Sequence, residues 1–235
     1  MTRIVVPDTP SAPAPTGDAM PLLDLSHTIE AGMITYKGLP APLICDHLSR
    51  EASRGNYDGG AEFQIGRIDM VGNTGTYLDS PFHRFADGDD LSALVLERLV
   101  CLPGVVVRAT DVQAVEVEAF RGLDLKGKAV LIHTGWDQHW RTDAYFEDHP
   151  FVTEQAAEYL IDAGATLVGI DSHNIDDTRG KSRPVHTVLL GAGIAIVEHM
   201  RGLNALPDHG FRFSAAPPKI TGFGTFPVRA FAEVP

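Results

Sequence analysis

Between Gly72 and Phe85 the chain reads Gly-Asn-Thr-Gly-Thr-Tyr-Leu-Asp-Ser-Pro-Phe-His-Arg-Phe, its densest run of residues able to do chemistry. Gly72 and Gly75 permit tight turns, and Asp79, Ser80 and Pro81 interrupt regular structure, so a loop is expected. That loop would hold the Asp79 carboxylate close to the His83 imidazole. A carboxylate can bind a divalent cation, and an imidazole beside it can carry a proton near neutral pH. A turn-capping aspartate and a surface histidine would look the same. A second cluster is Arg183-Pro184-Val185-His186, with Glu198 further on at the end of an apolar run that closes at Val197. A lone buried carboxylate is costly, so Glu198 needs a partner: a divalent cation, an arginine or a backbone cap. A third stretch, Gly169 to Asp177, directly follows an apolar segment. Ligands of α/β sheets bind beyond such strand ends, which puts Asp171 and His173 at the edge of a site. They serve equally well as caps for the next helix. Trp136 and Trp140 suit either an aromatic substrate pocket or the core.

These groups need a scaffold, and the hydrophobic pattern predicts one. Leu22–Ser26, Glu62–Met70, Gly104–Arg108, Ala129–Ile132, Thr166–Ile170 and Ile194–Val197 read as strands. The last of these is expected to be the final buried strand, with the Pro-containing tail from Phe211 to Val234 wrapping the surface or adding edge strands. Leu91, Leu94, Leu96 and Leu99 have helical spacing over Asp90–Leu99. Thr153 caps a second helix, with Glu154 in its first turn, Ala156, Ala157, Leu160 and Ile161 on one side, and Gly164 at its end. Strand, helix and strand in this order form a βαβ unit. The short β-branched strands point to an α/β sheet buried on both faces.

The bulk properties narrow the class. A chain of 235 residues, 44% hydrophobic and 21% charged, can bury a sizeable single core. A net charge of -12 disfavours nucleic-acid partners, which require clustered Lys and Arg. Residues 1–20, rich in Pro, Ala, Ser and Thr from position 7 to 18, read as a flexible leader, and residues 21–235 as the folded domain. No signal-peptide core or membrane-length apolar run is apparent, so a cytoplasmic protein without membrane association is expected. Cys45 and Cys101 are expected to be reduced and buried. Walker loop, dinucleotide fingerprint and Gly-x-Ser-x-Gly elbow are all absent.

Residues 73–83 resemble the His-x-Gly-Thr-His-x-Asp-x-Pro-x-His signature of the cyclase family of metal-dependent hydrolases, which includes kynurenine formamidases and isatin hydrolases. The resemblance extends from Leu23-Asp24-Leu25-Ser26-His27 through Leu131-Ile132-His133-Thr134-Gly135-Trp136 and the pair His186 and Glu198 to Phe213–Pro218 and Arg229. It implies an α/β fold: a compact, swivelling β/β/α single domain with a mixed sheet and flanking helices. It also implies a homodimer or homotetramer acting on a small-molecule substrate with one or two divalent metals, zinc or manganese. The first two signature histidines are Asn73 and Tyr77 here, which weakens the first metal position, because an amide oxygen and a phenol are poor zinc ligands. What the resemblance leaves is a single metal on Asp79, His186 and Glu198, with His83 as acid/base and Tyr77 or Asn73 donating to the oxyanion. The reaction expected is arylformamidase-like hydrolysis of an amide, lactam, lactone or ester of a small, aromatic carbonyl compound. The alternatives are a metal-free cyclase, dehydratase or isomerase using His83, Tyr77 and Asp79, or a binding homologue without catalysis.

Overall fold

The computed structural model describes residues 20–235, so nearly all of the expected leader lies outside the described residues. In chain order the strands are β1 (Leu22–Asp24), β2 (Leu43–Leu48), β3 (Ile65–Asp69), β4 (Tyr77–Asp79), β5 (Leu102–Arg108), β6 (Ala114–Val115), β7 (Ala129–His133), β8 (Phe151–Val152), β9 (Leu167–Ile170), β10 (Ala195–Glu198), β11 (His209–Ser214), β12 (Thr225–Pro227) and β13 (Phe231–Glu233). Two α-helices accompany them, α1 (Glu154–Asp162) and α2 (Pro184–Gly191).

Nine strands form one mixed sheet in the order β1-β13-β11-β5-β7-β9-β10-β4-β12. Its centre, β5-β7-β9-β10, is parallel, and antiparallel strands extend it on both sides. Apolar runs without polar interruption fit that centre, because both faces are covered. Val105, Val107, Val130, Ile132, Val168, Ile170 and Ile196 point into one core together with Ala156, Leu160, Val185 and Leu189 of the helices. Val106, Leu131, Leu167 and Val197 point into a second core containing Leu25, Met200, Phe211 and Phe213. The Thr153 hydroxyl accepts from Ala156 N at 3.3 Å and starts α1, and Gly164, at φ 77°, lets the chain leave it.

Several expectations are corrected. Asp90–Leu99 is not an α-helix: only Leu96–Arg98 forms a short 3-10 turn. The Asp90 carboxylate takes the backbone N–H groups of Ser92, Ala93 and Gly222, so local turn bonds replace a helical ladder while Leu91 and Leu99 are still buried. The segment around Asp79 is not wholly a loop, because Tyr77–Asp79 is a buried strand paired on both sides. Nor is β10 the last buried strand, since β11 inserts between β13 and β5 and buries Phe211 and Phe213. Ile65 and Ile68 lie on a two-stranded β2–β3 ribbon and are exposed. Cys45, on that ribbon, and Cys101, in a left-handed turn before β5, are free and exposed rather than buried.

Candidate active site

Strand alternation sorts the residues of β4. Leu78 enters one core, so Tyr77 and Asp79 project from the opposite face, the one covered by α2. Antiparallel pairing places Glu198 of β10 directly across from Tyr77. The Tyr77 hydroxyl donates to Glu198 Oε2 at 2.7 Å, and Ile175 N donates to Glu198 Oε1 at 2.7 Å. Burial, reinforced by the charges of Glu198 and Asp79, holds the Tyr77 phenol far above its usual range, so it remains a donor. Asn73, beside it, lines the same cavity.

Asp79 is fully buried. Its Oδ1 accepts from the Thr225 hydroxyl on β12, but its Oδ2 has no hydrogen-bond partner. An orphaned buried carboxylate oxygen calls for a cation or a missing donor. His186 faces it from the first turn of α2. The His186 Nδ1 lies 2.6 Å from Asp176 Oδ2, and a carboxylate there only accepts, so Nδ1 carries a proton and Nε2 is the nitrogen available to a metal that displaces its proton. That Nε2 stands 3.6 Å from Asp79 Oδ2 and 3.7 Å from Glu198 Oε1. Burial opposes charge on His186, but the Glu198 carboxylate, with Asp176 and Asp79, outweighs it and pushes the imidazole up to about 10. Burial likewise raises Glu198, and the Asp79 charge adds to the effect. Both shifts have one origin: three buried carboxylates surround one imidazole, and a cation relieves them.

His83 ends a short turn, Pro81–His83, and its side chain is 35% exposed. Its Nδ1 lies 2.7 Å from the Thr225 hydroxyl and 3.5 Å from Asp79 Oδ1. The hydroxyl gives its one proton to Asp79, so it accepts from His83 Nδ1–H, and Nε2 is the His83 nitrogen that Thr225 leaves unengaged. One ligand atom each of Asp79, His83 and His186 lies within 4.8 Å of the others. All six expected site residues therefore meet: Asn73, Tyr77, His83, His186 and Glu198 line one cavity of about 460 Å³, with Asp79 behind them. Tyr36, Lys37, Gly38, Leu39, Arg84, Asn174 and Arg183 complete the wall.

For the residues whose reading was open between site and scaffold, the structure places the side chains away from the cavity. Asp171 does not reach the cavity: it accepts from Thr134 N, Thr134 Oγ1 and Gly135 N, and so ties down the turn after β7. His173 sits behind Tyr36, among Tyr145, Phe146, His149 and His199. Trp140 stacks on His27 and Trp136 donates to Tyr145 O, so neither lines the cavity. Sequence reasoning missed the roles of Asp176 and Thr225. Asp176 lay within the polar run after Ile170, but nothing local distinguishes it from Asp177. Thr225 carries no signal of its own.

The family model described as "Putative cyclase" matches residues 23–177. The chain belongs to the cyclase family. Among cyclase-family relatives, a kynurenine formamidase of Geobacillus thermodenitrificans is 27% identical over 212 residues, covering 89% of this chain and 96% of its own. A solved structure described as a potential metal-dependent hydrolase with cyclase activity is 30% identical, covers 91% of this chain and 98% of its own, and superposes with a TM-score of 0.74. Isatin hydrolase A from Labrenzia aggregata, bound to benzyl benzoate, shares the fold with a TM-score of 0.76 at 23% identity, over 92% of this chain and 94% of its own. The cyclase fold expected from the signature is thus the fold found, and the chain is a cyclase-family hydrolase. Its donor set, an imidazole Nε2 turned toward an orphaned carboxylate oxygen, fits a divalent metal that would displace the Nε2 proton. Where the cyclase signature has histidines, this chain presents Asn73 and a Tyr77 already engaged by Glu198.

Proposed function

We propose that this cyclase-family chain is an arylformamidase-like, metal-dependent hydrolase that opens an amide, lactam, lactone or ester bond of a small aromatic carbonyl compound. The observation that carries this reading is the facing pair of Asp79 Oδ2, without a hydrogen-bond partner, and His186 Nε2, turned toward it because Asp176 holds Nδ1. Asp79 and His186 would hold the metal, with Glu198 beside them, and mixed nitrogen and oxygen donors suit zinc or manganese. When bound, such a cation supplies Lewis acidity toward a carbonyl and toward water. His83 takes the proton of the attacking water on Nε2 and returns it to the leaving nitrogen or oxygen. Tyr77 commits its proton to Glu198, so Asn73 is the neutral donor left to face the developing oxyanion. Kynurenine-type N-formyl arylamines are the first substrates to try, by kinship with the formamidase.

The enzyme is also proposed to be a homodimer or homotetramer. The exposed apolar residues Leu43, Ile44, Ile65 and Ile68 of the β2–β3 ribbon support self-association. A reducing, cytoplasmic setting fits two exposed free thiols. No helix among the described residues is long and apolar enough to cross a membrane.

The test is elemental analysis of the purified protein, followed by turnover of N-formyl arylamines, lactams and aryl esters in oxygen-labelled water. About one zinc or manganese per chain and label in the released acid are expected. Turnover without label in any product would overturn hydrolysis.

A further inference from the structure

The cavity that holds the carboxylates and His186 is also lined by Lys37, Arg84 and Arg183. In a chain of net charge -12, cations have many acidic neighbours to choose from. Elsewhere several arginines use them: Arg54 pairs with Glu62, Arg108 with Asp208, Arg179 with Asp177 and Arg229 with Asp24, while Arg50, Arg67, Arg98, Arg201 and Arg212, away from the cavity, form no such pair among the described residues. Arg84 and Arg183 have no carboxylate partner among the described residues. Neutral groups hold them instead. Arg84 Nε donates to Thr187 Oγ1 at 3.1 Å. Arg183 Nη1 donates to the carbonyls of Asp177, Gly180 and Ser182 at 3.2, 3.0 and 2.6 Å. The Thr187 hydroxyl in turn donates to Arg183 O at 2.8 Å, so both arginines join one hydrogen-bonded unit at the first turn of α2, the helix that carries His186. Their position is fixed and their charge is not neutralised. Neither Nη of Arg84 has an acceptor among the described residues.

We propose that the substrate carries a carboxylate in addition to the bond that is cut, and that Arg84 and Arg183 are the specificity-determining residues that read it. A guanidinium held through Nε or one Nη still presents N–H groups in a plane, which match a carboxylate better than a point charge does. Tyr36 and Leu39, on the same wall, offer apolar surface for the body of the molecule. A cavity of about 460 Å³ suits one aromatic ring with two short substituents. The substrate class is then an aromatic acid whose second substituent is the acylated nitrogen or oxygen. Lys37, only loosely placed at 3.7 Å from Glu147 and 3.9 Å from Asp143, adds positive charge at the rim.

This inference rests on the hydrolase reading for its chemistry, but binding tests it separately. The probes are N-formylanthranilate, which bears a ring carboxylate, and N-formylaniline, which lacks it. In the metal-loaded enzyme kcat/KM should favour the acid by roughly tenfold or more, most of it in KM, since a charge-assisted hydrogen bond is worth about that much or more. Arg84→Gln should bring the ratio of the two substrates roughly tenfold closer to one, and Arg84→Lys should recover part of it. Arg183→Lys, which keeps the charge in the helix-start loop, is the second variant should Arg183→Gln not fold. Arg121→Gln, on the surface beside Glu118, should keep the wild-type ratio. Calorimetric titration of the same two probes gives the binding preference whether or not either is hydrolysed. Preferential binding of the acid without turnover would sink the hydrolase reading alone. Equal binding and equal kcat/KM for the two probes, or a ratio untouched by Arg84→Gln, would overturn the carboxylate site.

Discussion

Asp176 grips His186 and the start of its helix together. Its Oδ2 lies 2.6 Å from His186 Nδ1 and accepts from His186 N at 3.1 Å, while its Oδ1 accepts from Val185 N at 2.7 Å. One carboxylate thus supplies the capping bonds of α2 and sets which ring nitrogen of His186 faces Asp79. Asp176→Asn would remove the charge and put a donor where an acceptor is needed. Metal affinity, read by competition with a chromogenic chelator, should fall about 10- to 100-fold. Thermal stability should fall with it, by about 1 kcal/mol for the weakened cap. Unchanged affinity would rule out Asp176 as the group that orients His186.

His83 stands between two roles. Its ring lies within reach of the point shared by Asp79 and His186, yet its Nδ1 is tied to Thr225 and its side chain opens to the cavity. The acid/base role predicts that His83→Ala cuts turnover at least ~100-fold while the protein still retains its metal. Loss of the metal in the same variant would make His83 a ligand instead.

Gly224 sets the position of His83 from behind. A Cβ on residue 224 would fall 2.5 Å from His83 N and 2.6 Å from His83 Cα, with backbone on both sides. Neither partner can swing away, so the turn that carries His83 must shift. Gly224→Ala should lose most of the turnover that His83→Ala loses, and the double variant should lose little more. Additive losses in the double variant would show that the glycine acts elsewhere.

Buried neutral histidines make the fold acid-sensitive. Burial lowers His173 to about 3 and His27 to about 4, and places His199 well below the usual value of 6.5. Below pH 6.5 the unfolded chain takes up protons at these sites and the folded chain does not, so stability is complete above about 6.5 and declines as pH falls toward 3. Asp171, raised by burial to about 6, and Glu198, raised by burial to about 7, act in the opposite sense as pH falls, but His133 and His149, also lowered by burial, add to the three rings, so five groups stand against two. Urea midpoints should therefore drop steadily from pH 7 to 4.5. A flat profile over that range would contradict the neutral, buried state of the three rings.

Much of the scaffold was legible in the sequence because it is written in local patterns. The runs at β5, β7, β9 and β10 are apolar without interruption, since both faces of those strands are covered, and Thr153 and Gly164 bracket α1 by their own conformational preferences. The strand at Tyr77–Asp79 was not legible. Its glycines, Ser80 and Pro81 read as loop, and only pairing with β10 and β12 makes it extended. The leucines of Asp90–Leu99 misled in the other direction: they are spaced for a helix, but the Asp90 carboxylate holds the backbone in turns.

For the site, residue type together with the resemblance to the cyclase signature named the candidate groups: Asp79, His83, His186 and Glu198, with Asn73 and Tyr77 in place of histidines. Tertiary structure alone decided what those groups can do. The sheet order sets Glu198 opposite Tyr77 and removes the phenol from free donation. Asp176 selects the His186 tautomer, Thr225 bridges Asp79 and His83, and Arg84 and Arg183 meet through Thr187. The physical reason is that a proton's position and a charge's compensation depend on neighbours distant in the chain. Period and propensity record only which face a residue shows, and not which partner it finds there.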